Sequence, residues 1–331
     1  MNNSSDLNTT VETAAERTIE DWFAGTALFI FGSVGLAFYL VVTAAISKLG
    51  KTITGFRILF SDSLVNCGQV VVFCLWPGVL VLARRTFLPK LVVALFNDGF
   101  WFTMAEHYVL VALSRYMAIA HPVWFAIRFK LHAYQVCACA WAIGFIQAAI
   151  LHTLMPWKTT FYYDPINSYG FVNAEWNKYH SGFEVHFWDY YTIPVVCVPF
   201  TLYLIAAYKV WRTRTKVQTG SRNKQAQQQK TERRLLIPCF VNQTCYFVGS
   251  QLIFEKLVPI PGKWSSFAIN IYFTINSLVN PLMLIILSQP VREKTLELIG
   301  KKPTSSSVPN TNSARMNIVS QQSQKPNFNK R

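Results

Sequence analysis

Long apolar runs alternate along this chain with short polar segments. Stretches free of Asp, Glu, Lys and Arg extend from Trp22 to Ser47, Leu131 to Trp157, Tyr190 to Tyr208, Leu235 to Phe254 and Trp264 to Val291. A helix crossing the ~30 Å hydrocarbon layer needs about 20 apolar residues, so each of these runs is long enough to span a membrane. Ile58 to Ala83 is interrupted only by Asp62, and Leu91 to Ser114 only by Asp98, Glu106 and His107, so both are spans whose polar residues face protein. The pattern predicts an all-α membrane protein, a seven-transmembrane helix bundle over residues 22–302. An amino-terminal tail, 1–21, precedes it, and a Ser/Asn/Gln-rich disordered tail, 303–331, follows.

Composition agrees: charged residues make up 14% of the chain, against about 25% in a soluble domain. Lys and Arg nevertheless total 31 against 16 Asp and Glu, a net charge of +15. Basic residues concentrate in cytoplasmic loops of membrane proteins. With the amino terminus outside, 23 bases fall in cytoplasmic segments and 8 outside, while acids number 3 inside, 10 outside and 3 in spans. The predicted orientation is therefore an extracellular amino terminus and a cytoplasmic carboxyl terminus. Arg84, Arg85 and Lys90 oppose it, as bases of the first outer loop that can snorkel to headgroups. Confined to one face, the charge suits anionic lipid and a cytosolic partner rather than nucleic acid. Asn2, Asn3 and Asn8 head N-x-[ST] sequons that an extracellular tail would present for glycosylation.

The seven cysteines all lie in spans and imply no disulfide framework. Neither they nor His107, His152, His180 and His186 show metal-ligand spacing, and no cofactor motif is present. The segment from Trp157 to Asp189 holds eleven aromatics. Two readings remain open there, an interfacial aromatic belt or a lid folded over the mouth of the bundle. After the last span, Val291, Leu298 and Ile299 share one face of a short interfacial helix.

Polar residues inside spans are functional candidates because each must face a partner or water. Asn66 lies about 12 Å deep in the second span, Asn280 lies at a similar depth in the seventh, and Asn276 is one turn further out. Pro281 frees a backbone carbonyl beside them. A polar cluster of Asn66, Asn276, Asn280 and Pro281 is expected, unless each amide bonds its own helix. Asp62, shallower, is expected to reach interfacial water or a base. In the third span Asn97 shares a face with Arg115, and Asp98 is about 100° round and Glu106 opposite. Asn97, Asp98 and nearby Trp101 are ligand-contact candidates, with a bond to a neighbouring helix the alternative for Asp98. Glu106 pairs with the fourth span or carries a proton.

Ala112-Leu-Ser-Arg-Tyr-Met-Ala-Ile-Ala-His-Pro122 resembles the end of the third helix in rhodopsin-like G-protein-coupled receptors. Asn280-Pro281 resembles their seventh-helix motif, and Trp141 their fourth-helix tryptophan. Phe56-Arg-Ile-Leu-Phe-Ser-Asp-Ser-Leu-Val-Asn66 is similar to the second-helix signature of nematode serpentine chemoreceptors of class x, with Arg57 and Phe60 in place of the usual Gly and Cys. The resemblance runs from about Gly25 to Lys302. It implies a chemosensory receptor of the plasma membrane, with a sensory cilium as one candidate location. Such a receptor binds an extracellular small molecule or peptide in the outer half of the bundle and activates a heterotrimeric G protein through Arg115, Tyr116, Lys209 and Arg233. An enzyme is not expected, because the sequence shows no membrane-embedded nucleophile and base or metal constellation.

The chain departs from that pattern in several places. Ser114 replaces the acidic neighbour of Arg115, and Leu284 replaces a Tyr. The first span lacks Asn, the sixth lacks Trp-x-Pro, and the cysteines that would fasten the second outer loop are missing. The alternative function is a seven-transmembrane ligand-gated channel or transporter using Asp62, Asp98 and Glu106 as a cation path. Against it, the three acids face different directions and no related halves are visible.

Overall fold

The computed structural model describes residues 18–153, 161–163, 168–169, 171–173, 183–214, 234–248 and 262–301. These form eight helices and one hairpin: α1 Ile19–Gly50, α2 Gly55–Ala83, α3 Lys90–Ala120, α4 Pro122–Thr153, strands β1 Phe161–Tyr163 and β2 Phe171–Asn173, α5 Phe183–Arg214, α6 Leu236–Val248, α7 Lys263–Leu287 and α8 Gln289–Leu298. The end of the bundle holding Thr18 is termed outer, and the end holding Arg115 inner. Helices α1, α2, α4, α5 and α7 are long and apolar enough to cross a membrane. Helix α3 has 31 residues, and its polar side chains Asn97, Asp98 and His107 are buried. Helix α6 is described over 13 residues.

Helix α1 begins three residues ahead of its apolar run. Thr18 accepts from the Asp21 backbone at 3.2 Å and Asp21 accepts from the Thr18 backbone at 3.0 Å, a reciprocal cap that satisfies two otherwise orphaned N–H groups. Arg84 stops α2 in the left-handed conformation (φ 53°). Helix α2 widens to a π turn over Val71–Leu75, just ahead of Pro77, and π turns often mark functional sites. The widened turn presses into α1, where Cys74 donates to the Leu28 carbonyl at 3.2 Å. A Cβ on Gly32 would stand 2.8 Å from the Leu75 nitrogen, so only glycine admits this approach, a small-residue contact typical of membrane helices. Helices α3 and α4 meet through Gly144 in the same way, its hypothetical Cβ falling 2.5 Å from the Thr103 nitrogen.

Helix α3 runs through the middle, packed against α2, α4, α5 and α6. The largest apolar cluster fills the inner half and includes Ile46, Phe56, Val111, Phe125, Tyr203 and Leu284. Leu284, standing in place of the usual Tyr, is fully buried there. Helix α8 lies against α1 through Val291 and Thr295. Ile299, expected to share the interfacial face with Val291 and Leu298, is 53% exposed just past the end of the helix at Leu298. The hairpin was not anticipated either. Phe161, Tyr162 and Tyr163 pair with Asn173, Val172 and Phe171 in antiparallel register, adding a small β element to an otherwise helical fold.

Candidate functional site

At the inner end Arg115 is completely buried. Its Nη2 donates to the Gly55 carbonyl at 2.9 Å, tying α3 to the first turn of α2. Ser114 donates to the Val111 carbonyl of its own helix at 2.7 Å, where the receptor pattern noted in the sequence would place an acid beside the arginine. Tyr116 lies under Lys209 of α5, whose Nζ stands 5.0 Å from the ring centre, a cation–π contact. Arg233 lies outside the described residues. Sequence reasoning missed Arg57. It donates through Nε to the Gly50 carbonyl at 2.9 Å and through Nη1 to the Lys130 carbonyl at 3.0 Å, linking α1, α2 and α4. Its departure from the usual Gly was the signal available.

In the middle of the bundle, Asn66 and Asn280 converge on Asp62. Asn280 Nδ2 donates to Asp62 Oδ2 at 2.6 Å, and Asn66 Nδ2 donates to the Asp62 backbone carbonyl at 2.8 Å and its Oδ1 at 3.3 Å. The expectation that Asp62 reaches water or a base is corrected: it is 2% exposed, because its face of α2 turns toward α7. Asn276 is buried one turn outward, and Pro281, lacking an N–H, leaves the Ser277 carbonyl without its helical donor. Alongside, His107 Nδ1 lies 2.8 Å from the Thr103 carbonyl and its Nε2 2.8 Å from Ser61 Oγ, while Trp141 Nε1 donates to Ser61 at 3.0 Å. A carbonyl can only accept, so the proton is assigned to Nδ1 and Ser61 donates to Nε2.

In the outer half, Asn97 Nδ2 donates to Asp98 Oδ1 at 3.1 Å, and His152 of α4 meets Asp98 Oδ2 at 2.7 Å. His152 was read in the sequence only as lacking metal-ligand spacing, although a buried Asp98 required a partner. Asn97 Oδ1 is buried with no hydrogen-bond partner among the described residues, an acceptor that a ligand or water would satisfy. Trp101 packs on Tyr191 of α5 with ring centres 5.8 Å apart. Glu106 accepts from Gln147 of α4 at 3.4 Å and from Tyr191 at 3.3 Å, in keeping with its expected pairing to the fourth span.

The mouth is closed on the side of α1, α2 and α7. Arg84 does not snorkel; it pairs with buried Asp21, which Lys263 of α7 approaches at 3.5 Å. Between β1 and β2, Tyr169 is fully buried among Ala24, Leu80, Val81 and Phe267. Its hydroxyl donates to Glu20 at 3.4 Å, and its carbonyl accepts from Asn270 at 3.4 Å. Burial, reinforced by the Asp21 and Glu20 carboxylates, pushes its hydroxyl up to about 12, so it stays protonated at neutral pH. Tyr169, from the segment between α4 and α5, thus plugs the space beside α1, α2 and α7 and is held there without a disulfide. None of the seven cysteines forms a disulfide. Asn2, Asn3 and Asn8 lie outside the described residues, and among those described no group of three metal-ligating side chains occurs.

Known proteins resemble this chain in both sequence and fold. The profile of the serpentine-type seven-transmembrane G-protein-coupled chemoreceptor family Srx matches residues 29–280. Growth hormone secretagogue receptor type 1 of Sus scrofa is 23% identical over 303 residues, spanning 84% of this chain and 80% of that receptor. Squid rhodopsin superposes with a TM-score of 0.63 over 90% of each chain at 10% identity.

Proposed function

Because the chain belongs to the serpentine-type seven-transmembrane G-protein-coupled chemoreceptor family Srx, and is accordingly a multi-pass membrane receptor, we propose that it senses an extracellular small molecule or peptide at the plasma membrane. Its amino terminus is extracellular, and the sequons at Asn2, Asn3 and Asn8 are then available for glycosylation. The ligand sits in the outer half between α3, α4 and α5, contacting Asn97 and Trp101 beside the Asp98–His152 pair. The unpartnered Asn97 oxygen favours a ligand carrying a hydrogen-bond donor. Family membership does not favour the channel or transporter alternative, and the chain is read as a receptor rather than an enzyme.

Ligand binding does work only by stabilising one helix arrangement over another. The arrangement described holds Arg115 buried against α2, and the Asp62–Asn280 bond, with Asn66 also on Asp62, joins α2 to α7 outward of it. Activation releases Arg115 to the cytoplasmic surface, where it meets a heterotrimeric G protein together with Tyr116, Lys209 and Arg233. The observation that carries this reading is the buried Arg115 guanidinium on the Gly55 carbonyl.

The test is nucleotide exchange on a co-expressed G protein, measured without ligand and across a small-molecule and peptide library, for the native chain and Arg115→Ala. Evoked exchange should fall at least about tenfold, the equivalent of one charge-assisted hydrogen bond, with surface expression retained. Unchanged evoked exchange in Arg115→Ala would refute the assignment.

A further inference from the structure

The start of α4 carries a surface that the receptor reading does not use. Phe125, Phe129, Ala133 and Cys137 recur every fourth residue and are buried in the inner core. The opposite side is also apolar: Val123 is 57% exposed, Trp124 47%, Ile127 60%, Leu131 71% and Tyr134 57%. Exposed Arg128 and Lys130 border this stripe, and Arg57 stands 5.2 Å over the Tyr134 ring. No acid occurs anywhere between Glu106 and Asp164, so the segment that carries the stripe contributes only positive charge.

An apolar patch of this size on a soluble loop would be an aggregation hazard. Its position identifies what covers it. Leu131 opens the uncharged run of the fourth span, and Ile127 and Trp124 lie four and seven residues before it, about 6–10 Å below the hydrocarbon edge at ~1.5 Å per residue. The headgroup layer is roughly 5–8 Å thick on each side, and tryptophan concentrates there. The stripe also continues without a break into the bilayer-facing side of α4, where Ile143, Ile146 and Ile150 are exposed.

We propose that residues 122–134 form a binding surface for anionic phospholipid of the inner leaflet. Leu131 sits at the boundary between headgroups and acyl chains, Ile127 within the headgroup layer and Trp124 at its outer rim, and Arg128 and Lys130 hold the anionic headgroup. This rests on the inner end being cytoplasmic, as the receptor reading requires. The lipid would brace the connection between α3 and α4, six residues after Arg115.

The test uses the full chain in nanodiscs of equal parts phosphatidylserine and phosphatidylcholine, with retained lipid identified by native mass spectrometry. The native chain should retain phosphatidylserine preferentially. Arg128→Gln with Lys130→Gln should reduce that preference by about tenfold to thirtyfold, given what a base contributes near an anionic surface. Both bases are exposed, so the buried face of α4 is untouched. Equal preference in the double variant overturns the proposal. A photo-reactive residue in place of Ile127 should give phospholipid adducts in cells. Adducts to a G protein alone would make the stripe a protein contact and overturn the lipid surface while leaving the receptor reading in place. Cytoplasmic accessibility of the amino terminus would overturn both.

Discussion

Exchanging the partners across the Asp62–Asn280 bond should be far less harmful than changing either one. The bond joins α2 to α7 at 2.6 Å between side chains each 2% exposed. Neutral interhelical hydrogen bonds in membranes average about 0.6 kcal/mol and reach about 1.7, whereas bonds to charged groups contribute about 1.5–3. An amide-to-carboxyl bond between two buried side chains lies between these classes, which places the coupling at about 1.5 kcal/mol, roughly tenfold in the folding equilibrium. Asp62→Asn sets two amides against each other, so that one must turn its oxygen inward and give up the Asn66 contact. Asn280→Asp sets two carboxyl groups against each other. The double exchange restores one donor facing one acceptor, now with the amide on α2.

The assay is thermal unfolding followed with a thiol-reactive fluorophore, which reports when Cys67, Cys74, Cys137 and Cys239, all buried, become accessible. Each single variant should unfold at a clearly lower temperature, and the double variant should recover most of the loss. If the double variant is destabilised by the sum of the two singles, the bond does not couple α2 to α7, and the account of the network fails.

Three further outcomes follow from the packing. Arg57→Gly, which restores the usual family residue, removes two hydrogen bonds to carbonyls of α1 and α4 and should cost about 2 kcal/mol in the same unfolding assay; an unchanged midpoint would mean the arginine does not brace these helices. Gly144→Ala places a methyl against the Thr103 backbone and should cost about 1–3 kcal/mol, visible as reduced surface expression, whereas a neutral result would contradict the close approach of α3 and α4. Tyr169→Phe keeps the packing and loses only the long bond to Glu20, so it should cost under about 1 kcal/mol, while Tyr169→Ala should cost about 3 and expose the loop to deuterium exchange. Because the folded-state hydroxyl titrates near 12, above its ordinary value near 10, the plug's contribution should be constant below pH 10 and decline only as pH rises toward 12.

Much of this was legible because it depends on composition and helical period. Apolar runs marked the spans, and counting at 100° per residue put Asn97 and Arg115 on one buried face and Glu106 toward α4. Partner choice was less accessible. Asp62 was read by depth alone, yet depth says nothing of which neighbour a side chain faces, and the rotation of α2 delivered it to Asn280. His152 and Asp98 are 54 residues apart, and only the packing of α3 on α4 joins them. The Tyr169 plug depends on a hairpin whose aromatic strands resembled an interfacial belt.

The restraint on Arg115 has an unusual genetic property. Its acceptor is the main-chain oxygen of Gly55, an atom that every amino acid carries. A side-chain acid in that role could be erased by one base change or neutralised by a proton, and either event would release the arginine. This contact offers neither route, so mutations that break it should cluster where they distort the first turn of α2, around Thr54 and Phe56.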